Sequence, residues 1–379
     1  MVQAVRAGKS VRWVAKAYGV SVGTVAYWVE QARGQRLDRV RFDNCKPGRA
    51  SNRTPSGMEQ RILHVRRRLR DDSVLGEYGL DAIGVALREG SAPAQLPSRT
   101  TIYRVLERHG ALDGTHRQRR PAPPKGWYLP GLAERQVELD TFDFIEDLKI
   151  GGGPLVSVLT ATSLHGALAD AWVMQQPTAK ATVEALTDRW RRDGLPTYAQ
   201  FDNANLFQGA HQFADTVGRV SRLCLNLNVI PVFAPPREHG FQNALWQSKV
   251  WQRHHCPNLA SLLTVSARYI AAHRSKTAPR REAAPNRRPI PIEFEFDLNV
   301  PLKGTMIYLR RSDDQGKVSL LAQSFHVAEH WPHRLVRCEV DCTHQRLRFY
   351  ALRRRDPSHQ PLLRELPYHR PNKPFQGSS

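Results

Sequence analysis

The stretch ERQVELDTFDFIE, residues 134–146, alternates apolar and polar side chains and predicts a β-strand. Asp140 lies in its middle, between Leu139 and Phe142. A carboxylate in so apolar a strand is costly unless it faces a cleft or binds a cation. Asp143 is the alternative acid on this strand, and its odd spacing from Asp140 puts it on the other face of the sheet. The strand therefore offers two carboxylates, of which we take Asp140 as the functional one.

The residues that follow predict an α/β domain. Two further strands are expected at 154–163 and 167–174, then an amphipathic helix at 178–192, then a strand at 197–201 that ends at Asp202. Three meandering strands, a helix and a strand with an acid at its end are the opening of a ribonuclease-H-like core. We place this core at residues 129–288.

The two acids predict a metal site. In a ribonuclease-H-like sheet the first and fourth strands are neighbours, so Asp140 and Asp202 are expected to meet at one edge. Like charges at such a place need a divalent ion, here Mg²⁺ or Mn²⁺. On this hypothesis Asp140→Asn stabilises the metal-free protein by removing repulsion. The alternative is that Asp140 is an edge residue and Asp202 caps the next helix.

The charge of the chain favours a polyanionic partner. The 379 residues carry 56 Lys and Arg against 35 Asp and Glu, a net charge of +21. Residues 1–125 hold 24 of the basic and 11 of the acidic side chains. A basic head on a more nearly neutral body suggests a part that binds double-stranded DNA. A generally basic surface is the alternative.

The head predicts two helix-turn-helix units, at residues 1–50 and 51–115. In the first, Gly19 makes the turn between two helices and Ser21 caps the second, which leaves Thr24 and Tyr27 to face a major groove. In the second unit, Ser98 caps a helix over 99–109. The side chains predicted to contact DNA from that helix are Arg99, Thr100, Tyr103 and Arg104. Ordinary helical hairpins are the alternative for both units.

The remaining segments are accessory. Residues 116–128 are basic and then proline-rich, which predicts a linker. Residues 289–379 are short alternating runs separated by turns, and they predict a small antiparallel β-barrel. No apolar run reaches the length of a membrane span, so a cytoplasmic location beside DNA is expected.

Three motifs in this order resemble a known family. LDTFDF at 139–144, AQFDNANLFQG at 199–209 and PPREHGFQN at 235–243 are similar to the DDE-class transposases of bacterial insertion sequences, which share the catalytic core of retroviral integrases. The resemblance implies a homo-oligomer in the bacterial cytoplasm that binds the ends of its element and cuts and joins DNA strands. It also implies a catalytic triad of Asp140, Asp202 and one glutamate.

The glutamate of the triad is missing from its expected place. In the family it lies on the helix after the Pro/Gly loop, but here GFQNA (240–244) runs directly into LWQSKVW (245–251), as a short deletion would leave it. Glu238 is the nearby substitute, and 35 residues separate it from Asp202, a spacing common in the superfamily. It lies in the loop, where an acid is held less firmly. We therefore expect strand cleavage to be very slow or undetectable.

Two other functions fit the same features. One is a catalytically dead, sequence-specific DNA-binding protein derived from a transposase, which keeps the head and uses the core as a scaffold. The other is a ribonuclease-H-like nuclease without transposition, which explains the core but leaves the DNA-reading head without a role.

Overall fold

The computed structural model of the protein describes residues 1–40, 54–89, 96–112, 124–151, 155–209, 215–235, 251, 256–354 and 356–369. The chain divides into two compact units, Met1–Ile62 and Leu63–Ser379, and each is described by itself. None of the helices within these ranges is long and apolar enough to cross a membrane.

The first unit contains the helices α1 (Val2–Arg6), α2 (Val11–Tyr18) and α3 (Val22–Gln31). Ser10 and Ser21 cap α2 and α3, each with its hydroxyl accepting a hydrogen bond from the backbone three residues on. Gly19 ends α2 with φ 66°, a left-handed conformation that favours glycine. Val14, Ala15 and Val25 form the buried centre. The two predicted helices and the turn between them are confirmed, and their DNA-binding role stays a prediction.

Three more helices follow: α4 (Ser56–Asp72), α5 (Leu80–Arg88) and α6 (Arg99–Arg108). The helix α4 crosses the boundary between the two units. Ser98 caps α6 and accepts a hydrogen bond from the backbone of Thr101 at 3.1 Å. The inner faces of α5 and α6 bury Ile83, Leu87, Ile102, Val105 and Leu106, at the helical spacing that the sequence predicted.

The mixed α/β core is as predicted in its order of elements. It runs β1 (Leu139–Lys149), β2 (Leu155–Ser163), β3 (Ala169–Met174), α7 (Ala179–Asp193), β4 (Tyr198–Phe201), α8 (Asn205–Gln208), α9 (Arg219–Asn226), β5 (Ile230–Phe233), α10 (Leu259–Lys276) and α11 (Ala278–Glu282). The strands β1, β2 and β3 form an antiparallel meander. The strand β4 then pairs in parallel with β1, and β5 in parallel with β4.

The C-terminal region adds β6 (Thr305–Arg311), β7 (Lys317–Leu320), β8 (Gln323–His326), β9 (Leu335–Asp341), β10 (Arg346–Ala351) and β11 (Leu362–Pro367). The predicted separate barrel is corrected here, because β6 pairs in parallel with β5 and brings β9, β10 and β11 into the core sheet. The resulting nine-stranded sheet has the order β11-β10-β9-β6-β5-β4-β1-β2-β3, and β7 and β8 form a separate hairpin. Four consecutive residues of β6, Met306–Leu309, are buried, which suits a strand covered on both faces.

A row of aromatic rings crosses the four parallel strands at one level. Phe142 on β1 stacks on Phe201 on β4, with ring centroids 5.3 Å apart. Phe233 on β5 lies 6.0 Å from Phe201 and 4.8 Å from Tyr308 on β6. Because the four rings are level with one another, the residues that directly follow them on the four strands are also level with one another.

Candidate active site

Asp140 lies within the core and is fully buried. Arg189 donates to both of its carboxylate oxygens, at 3.0 and 3.1 Å. Arg287 also donates to both, at 3.0 and 2.7 Å, and Trp190 Nε1 donates to Oδ2 at 3.2 Å. Burial alone would raise the pKa of Asp140, but the charges of Arg189 and Arg287 outweigh it and hold that pKa well below its usual range.

The pairs at Asp140 belong to a larger cluster of charges. Arg189 also donates to Asp170 at 2.5 Å and to the carbonyl of Leu168 at 2.9 Å. Asp170 in turn accepts from Arg192 at 2.8 Å and from Arg274 at 2.7 Å. The cluster joins β1, β3, α7, α10 and the residues after α11, so its contacts are those of a structural ion network.

The expectation that Asp140 meets Asp202 is therefore corrected. The carboxylate of Asp140 points to the face covered by α7, where guanidinium groups already saturate it. A group held between two arginines has no need of a metal ion. The expected stabilisation by Asp140→Asn is reversed too, because no like charge is there to be relieved.

Asp143 is the acid of β1 that lies beside Asp202. The parallel register of β1 and β4 pairs Asp140 with Ala199 and Thr141 with Gln200. Continued by two residues, it brings Asp143 level with Asp202, just past the aromatic row. Burial, followed by the charge of Asp202, raises the pKa of Asp143 to about 7. Burial also raises the pKa of Asp202. Burial is the main cause of both shifts, and the charge of Asp202 adds to the shift of Asp143.

Local contacts hold both acids in position. The backbone carbonyl of Asp143 accepts a hydrogen bond from Thr160 Oγ1 at 3.0 Å, on the neighbouring strand β2. Asp202 Oδ1 accepts from the backbone N–H of Ala204 at 2.9 Å, which turns the chain into α8. This hydrogen bond goes to the residue that precedes α8, and α8 has no side-chain cap, so the alternative that Asp202 caps this helix is not borne out.

The face of the sheet that bears Asp143 also bears Trp251. Ile145, two residues along the same face of β1, lies in one buried cluster with Trp251 and Tyr269. The ring centroid of Trp251 is 5.0 Å from that of Tyr269, and its Nε1 donates to Ser266 Oγ at 2.8 Å. Trp251 is the last residue of LWQSKVW, and residues 236–250 lie outside the described ranges.

A complete metal site is not assembled from the described residues. Within those ranges no group of three or more His, Cys, Asp or Glu could hold an ion. Asp143 and Asp202 supply the hard oxygen ligands that Mg²⁺ and Mn²⁺ prefer. Glu238 lies outside the described residues. Asp143 and Asp202 fit a divalent ion as two of its ligands, and the site requires at least one more.

The residues predicted to contact DNA lie on helix surfaces. Tyr27 is half exposed, while Thr24 is partly buried and exchanges a hydrogen bond with Ser21 at 2.8 Å. On α6, Thr100 and Arg104 are exposed, and Arg99 forms an exposed ion pair with Asp81 at 2.9 Å. The hydroxyl of Tyr103 donates to Glu107 at 3.1 Å. An exposed ion pair is weak, so Arg99 can exchange its partner for a phosphate.

Neither the protein-family models nor the curated proteins compared with the chain gave a match. Among solved structures, the chain is similar to the catalytic core domain of BIV integrase, with 17% identity and a TM-score of 0.26 over 36% of this chain and 81% of that one. The HTLV-2 integrase catalytic core domain in complex with magnesium matches with 11% identity and a TM-score of 0.26 over 35% and 82%.

A third match covers more of the chain. The simian T-cell lymphotropic virus intasome in complex with PP2A regulatory subunit B56 gamma matches with 14% identity and a TM-score of 0.32, over 72% of this chain and 91% of that one. These identities and TM-scores describe a distant likeness.

Proposed function

We propose that the protein is a DNA strand transferase of the DDE class, with Asp143 and Asp202 as its first two acids. The observation that carries this proposal is the level pair of carboxylates where β4 ends beside β1, with the pKa of Asp143 raised to about 7. A pair of acids that resist ionising together is stabilised by a divalent cation. The motifs around both residues, LDTFDF and AQFDNANLFQG, are those that resemble transposases.

The chemistry of such a site acts on a phosphodiester. Asp143 and Asp202 would hold a divalent ion, which would supply Lewis-acid chemistry at a phosphodiester. The chain holds the two acids in place: Thr160 Oγ1 donates to the backbone carbonyl of Asp143, and the Ala204 N–H donates to Asp202 Oδ1. Two carboxylates without a third acid would hold a second ion weakly, and each tenfold loss of rate corresponds to about 1.4 kcal/mol.

The head is proposed to bring double-stranded DNA to this site. We assign residues 1–50 and 51–115 to two DNA-binding units, 116–128 to the linker between head and core, and 129–288 to the catalytic core, whose sheet the strands of 289–379 extend. Element ends and target DNA are the proposed partners, and a homo-oligomer on DNA is the proposed assembly. The excess of basic side chains in residues 1–125 supports this division of labour.

Strand nicking tests the proposed function. The assay is Mn²⁺-dependent nicking of duplex DNA that carries the sequences flanking the gene. We expect a very slow rate that Asp143→Asn and Asp202→Asn each reduce below detection, because each removes a ligand oxygen of the metal. Asp188→Asn is the matched control, since Asp188 is an exposed acid on α7 paired with Arg192 at 3.0 Å.

The results of this assay separate the alternatives. Loss of nicking in Asp188→Asn, or retention of nicking in both site variants, would contradict the assignment of the acids. Efficient nicking that Glu238→Gln stops would show that the loop glutamate completes the triad. Duplex binding without any metal-dependent nicking would favour the catalytically dead DNA-binding protein.

DNA binding by the head gives a second test. In the full chain, Arg99→Ala and Arg104→Ala are each expected to weaken duplex binding about tenfold, because both guanidinium groups lie exposed on α6. Arg354→Ala removes an equally exposed charge far along the chain and is expected to change affinity less than twofold. Fluorescence anisotropy over a series of salt concentrations measures all three. Equal losses in all three variants would point to a non-specific basic surface.

A further inference from the structure

The residue after Asp202 ties the end of β4 to the end of β5. The two strands are parallel, with Phe201 opposite Phe233, so Asp202 is level with Ala234. The backbone N–H of Ala234 donates to the carbonyl of Phe201 at 2.9 Å. One residue beyond Asp202, Asn203 Nδ2 donates to the carbonyl oxygen of Ala234 at 2.6 Å. The side chain of Asn203 therefore continues the pairing of the two strands past the point where their backbone ladder stops.

Gln208 decides which way the amide of Asn203 faces. Its Nε2 donates to Asn203 Oδ1 at 2.5 Å. A backbone carbonyl can only accept a hydrogen bond, so the amide of Asn203 must turn its Nδ2 to Ala234 and its Oδ1 to a donor. Gln208 supplies that donor, and only 8% of its surface is exposed. A reversed amide would set acceptor against acceptor and donor against donor, which is costly for buried polar groups.

Gln208 is itself held by backbone contacts on both sides. Its N–H donates to the carbonyl of Ala204 at 3.1 Å, and its carbonyl accepts from the N–H of Gly218 at 2.8 Å. Gly218 precedes α9, and a Cβ atom there would lie 2.9 Å from the carbonyl oxygen of Gln208, closer than a side chain can come. The start of α9 is therefore in direct contact with the end of α8. From α9, a chain of hydrogen bonds runs through Gln208 and Asn203 to the end of β5.

Asp202 lies between two fixed neighbours. Phe201 before it is 1% exposed and belongs to the aromatic row, and Asn203 after it is held by the two hydrogen bonds of its amide. Asp202 Oδ1 also accepts from the N–H of Ala204 at 2.9 Å. Ionised carboxylates side by side repel each other, and the turn after β4 could relieve repulsion from Asp143 by swinging off the edge of the sheet. The bond from Asn203 opposes that movement, because it attaches the turn to β5.

We propose that Asn203 is a positioning residue of the metal site and that Gln208 acts through it. Their hydrogen bonds hold the turn after β4, and with it the carboxylate of Asp202, in place beside Asp143 before a cation arrives. Neither side chain is a ligand. Both raise the affinity for Mg²⁺ or Mn²⁺ by removing the need to order the turn on binding. The inference rests on the proposed function, since it assigns a supporting role to residues around the proposed pair of acids.

Affinity for Mn²⁺ tests the role of both residues. The full chain is titrated with Mn²⁺, and the electron paramagnetic resonance signal of the free ion reports how much is bound. Asn203→Ala is expected to weaken binding about tenfold, because loss of a contact that supports a metal ligand typically costs about 10- to 100-fold. Gln208→Ala should weaken binding about threefold, since the bond from Asn203 to Ala234 remains. The double variant should be no weaker than Asn203→Ala, because Gln208 acts through Asn203.

Asn226→Ala is the matched control. Asn226 ends α9, shortly before β5 begins, and its Nδ2 donates to the backbone carbonyl of Asp297 at 2.8 Å. The substitution therefore removes the same kind of hydrogen bond at the other end of β5. Thermal melts without metal measure what each substitution costs in stability. A merely structural role would lower the melting temperature of Asn203→Ala and Asn226→Ala alike and leave the Mn²⁺ affinity of both unchanged, and this result would overturn the inference.

Hydrogen exchange of the wild type covers the case in which the variants fail to fold. The N–H of Ala204 should be protected in the metal-free protein, and Mn²⁺ should slow its exchange less than about threefold, because the turn is already ordered. A turn that becomes protected only when Mn²⁺ is bound would overturn the inference. Wild-type protein that does not bind Mn²⁺ would overturn the proposed function and this inference with it. Wild-type binding with unchanged affinity in folded Asn203→Ala and Gln208→Ala would overturn the inference alone.

Discussion

Asp140→Asn is expected to lower the free energy of unfolding by about 3–5 kcal/mol at pH 7, because breaking a buried ion pair leaves an uncompensated charge. Arg189 is fully buried, and Arg287 keeps only 14% of its side chain exposed. The amide of asparagine can accept from one of these groups but carries no charge to offset them. A loss of this size is a large part of the stability of a typical domain. Urea unfolding at pH 7 measures it.

The pH dependence of this effect has a defined sign. The pKa of Asp140 is lowered in the folded state, so its stabilisation is present above the unfolded value of about 3.9 and is lost as the pH falls toward the folded value. The difference between wild type and Asp140→Asn should therefore be full at pH 7 and shrink below about pH 4. Asp188→Asn, the exposed control on α7 next to Arg189, should change stability by less than about 1 kcal/mol. An Asp140→Asn variant that is more stable than the wild type would contradict the ion network and support the like-charge repulsion expected from the sequence.

The sequence predicts that Asp140 lies beside Asp202, whereas the structure places Asp143 there. This difference shows what strand alternation can and cannot predict. Alternation correctly places the two acids of β1 on opposite faces of the sheet. It does not say which face α7 covers, since that depends on where the helix packs. The apolar stripe of α7 was visible in the sequence, but Arg189 beside Trp190 gave no sign of its partner 49 residues earlier. Long-range ion pairs have no local signature, so the sequence does not distinguish the ion-paired Asp140 from Asp143, the acid proposed for the site.

The prediction of a separate C-terminal barrel was wrong for a related reason. Its strands could be predicted from alternation and turns, but membership of a sheet is decided by pairing between distant residues, here Val232 with Ile307. One local signal was present: Met306–Leu309 is a continuous apolar run, which is typical of an internal parallel strand and unlike the edge of a small barrel. The helices of the head were predicted well because caps and turns are local. Ser10, Gly19, Ser21 and Ser98 all act within four residues of their own position.

Asp143→Asn is expected to have the opposite effect to Asp140→Asn on the metal-free protein, a stabilisation of about 2–4 kcal/mol at pH 8. The pKa of Asp143 is raised from 3.8 to about 7, first by burial and then by the charge of Asp202. Because the folded protein binds this proton more tightly than the unfolded chain, wild-type stability falls as the pH rises from about 4 to 7. Asparagine removes that fall. The two proteins should be nearly equal in stability at pH 4 and diverge up to about pH 7.

The same substitution should abolish the response to metal. Mn²⁺ bound at about 100 times its dissociation constant stabilises a protein by about 2.7 kcal/mol, and the ion is expected to do so in the wild type by neutralising the pair. Asp143→Asn and Asp202→Asn should each lose most of that shift in a thermal melt.

Glu146→Gln is the matched control. Glu146 is exposed on the same strand, and its charge also raises the pKa of Asp143. The substitution should therefore change the pH dependence of stability slightly and leave the Mn²⁺ shift in place. If Mn²⁺ does not stabilise the wild type while Asp143→Asn is still more stable at high pH, the two carboxylates repel each other but do not bind a cation. If Glu146→Gln also loses the Mn²⁺ shift, Glu146 is one of the metal ligands.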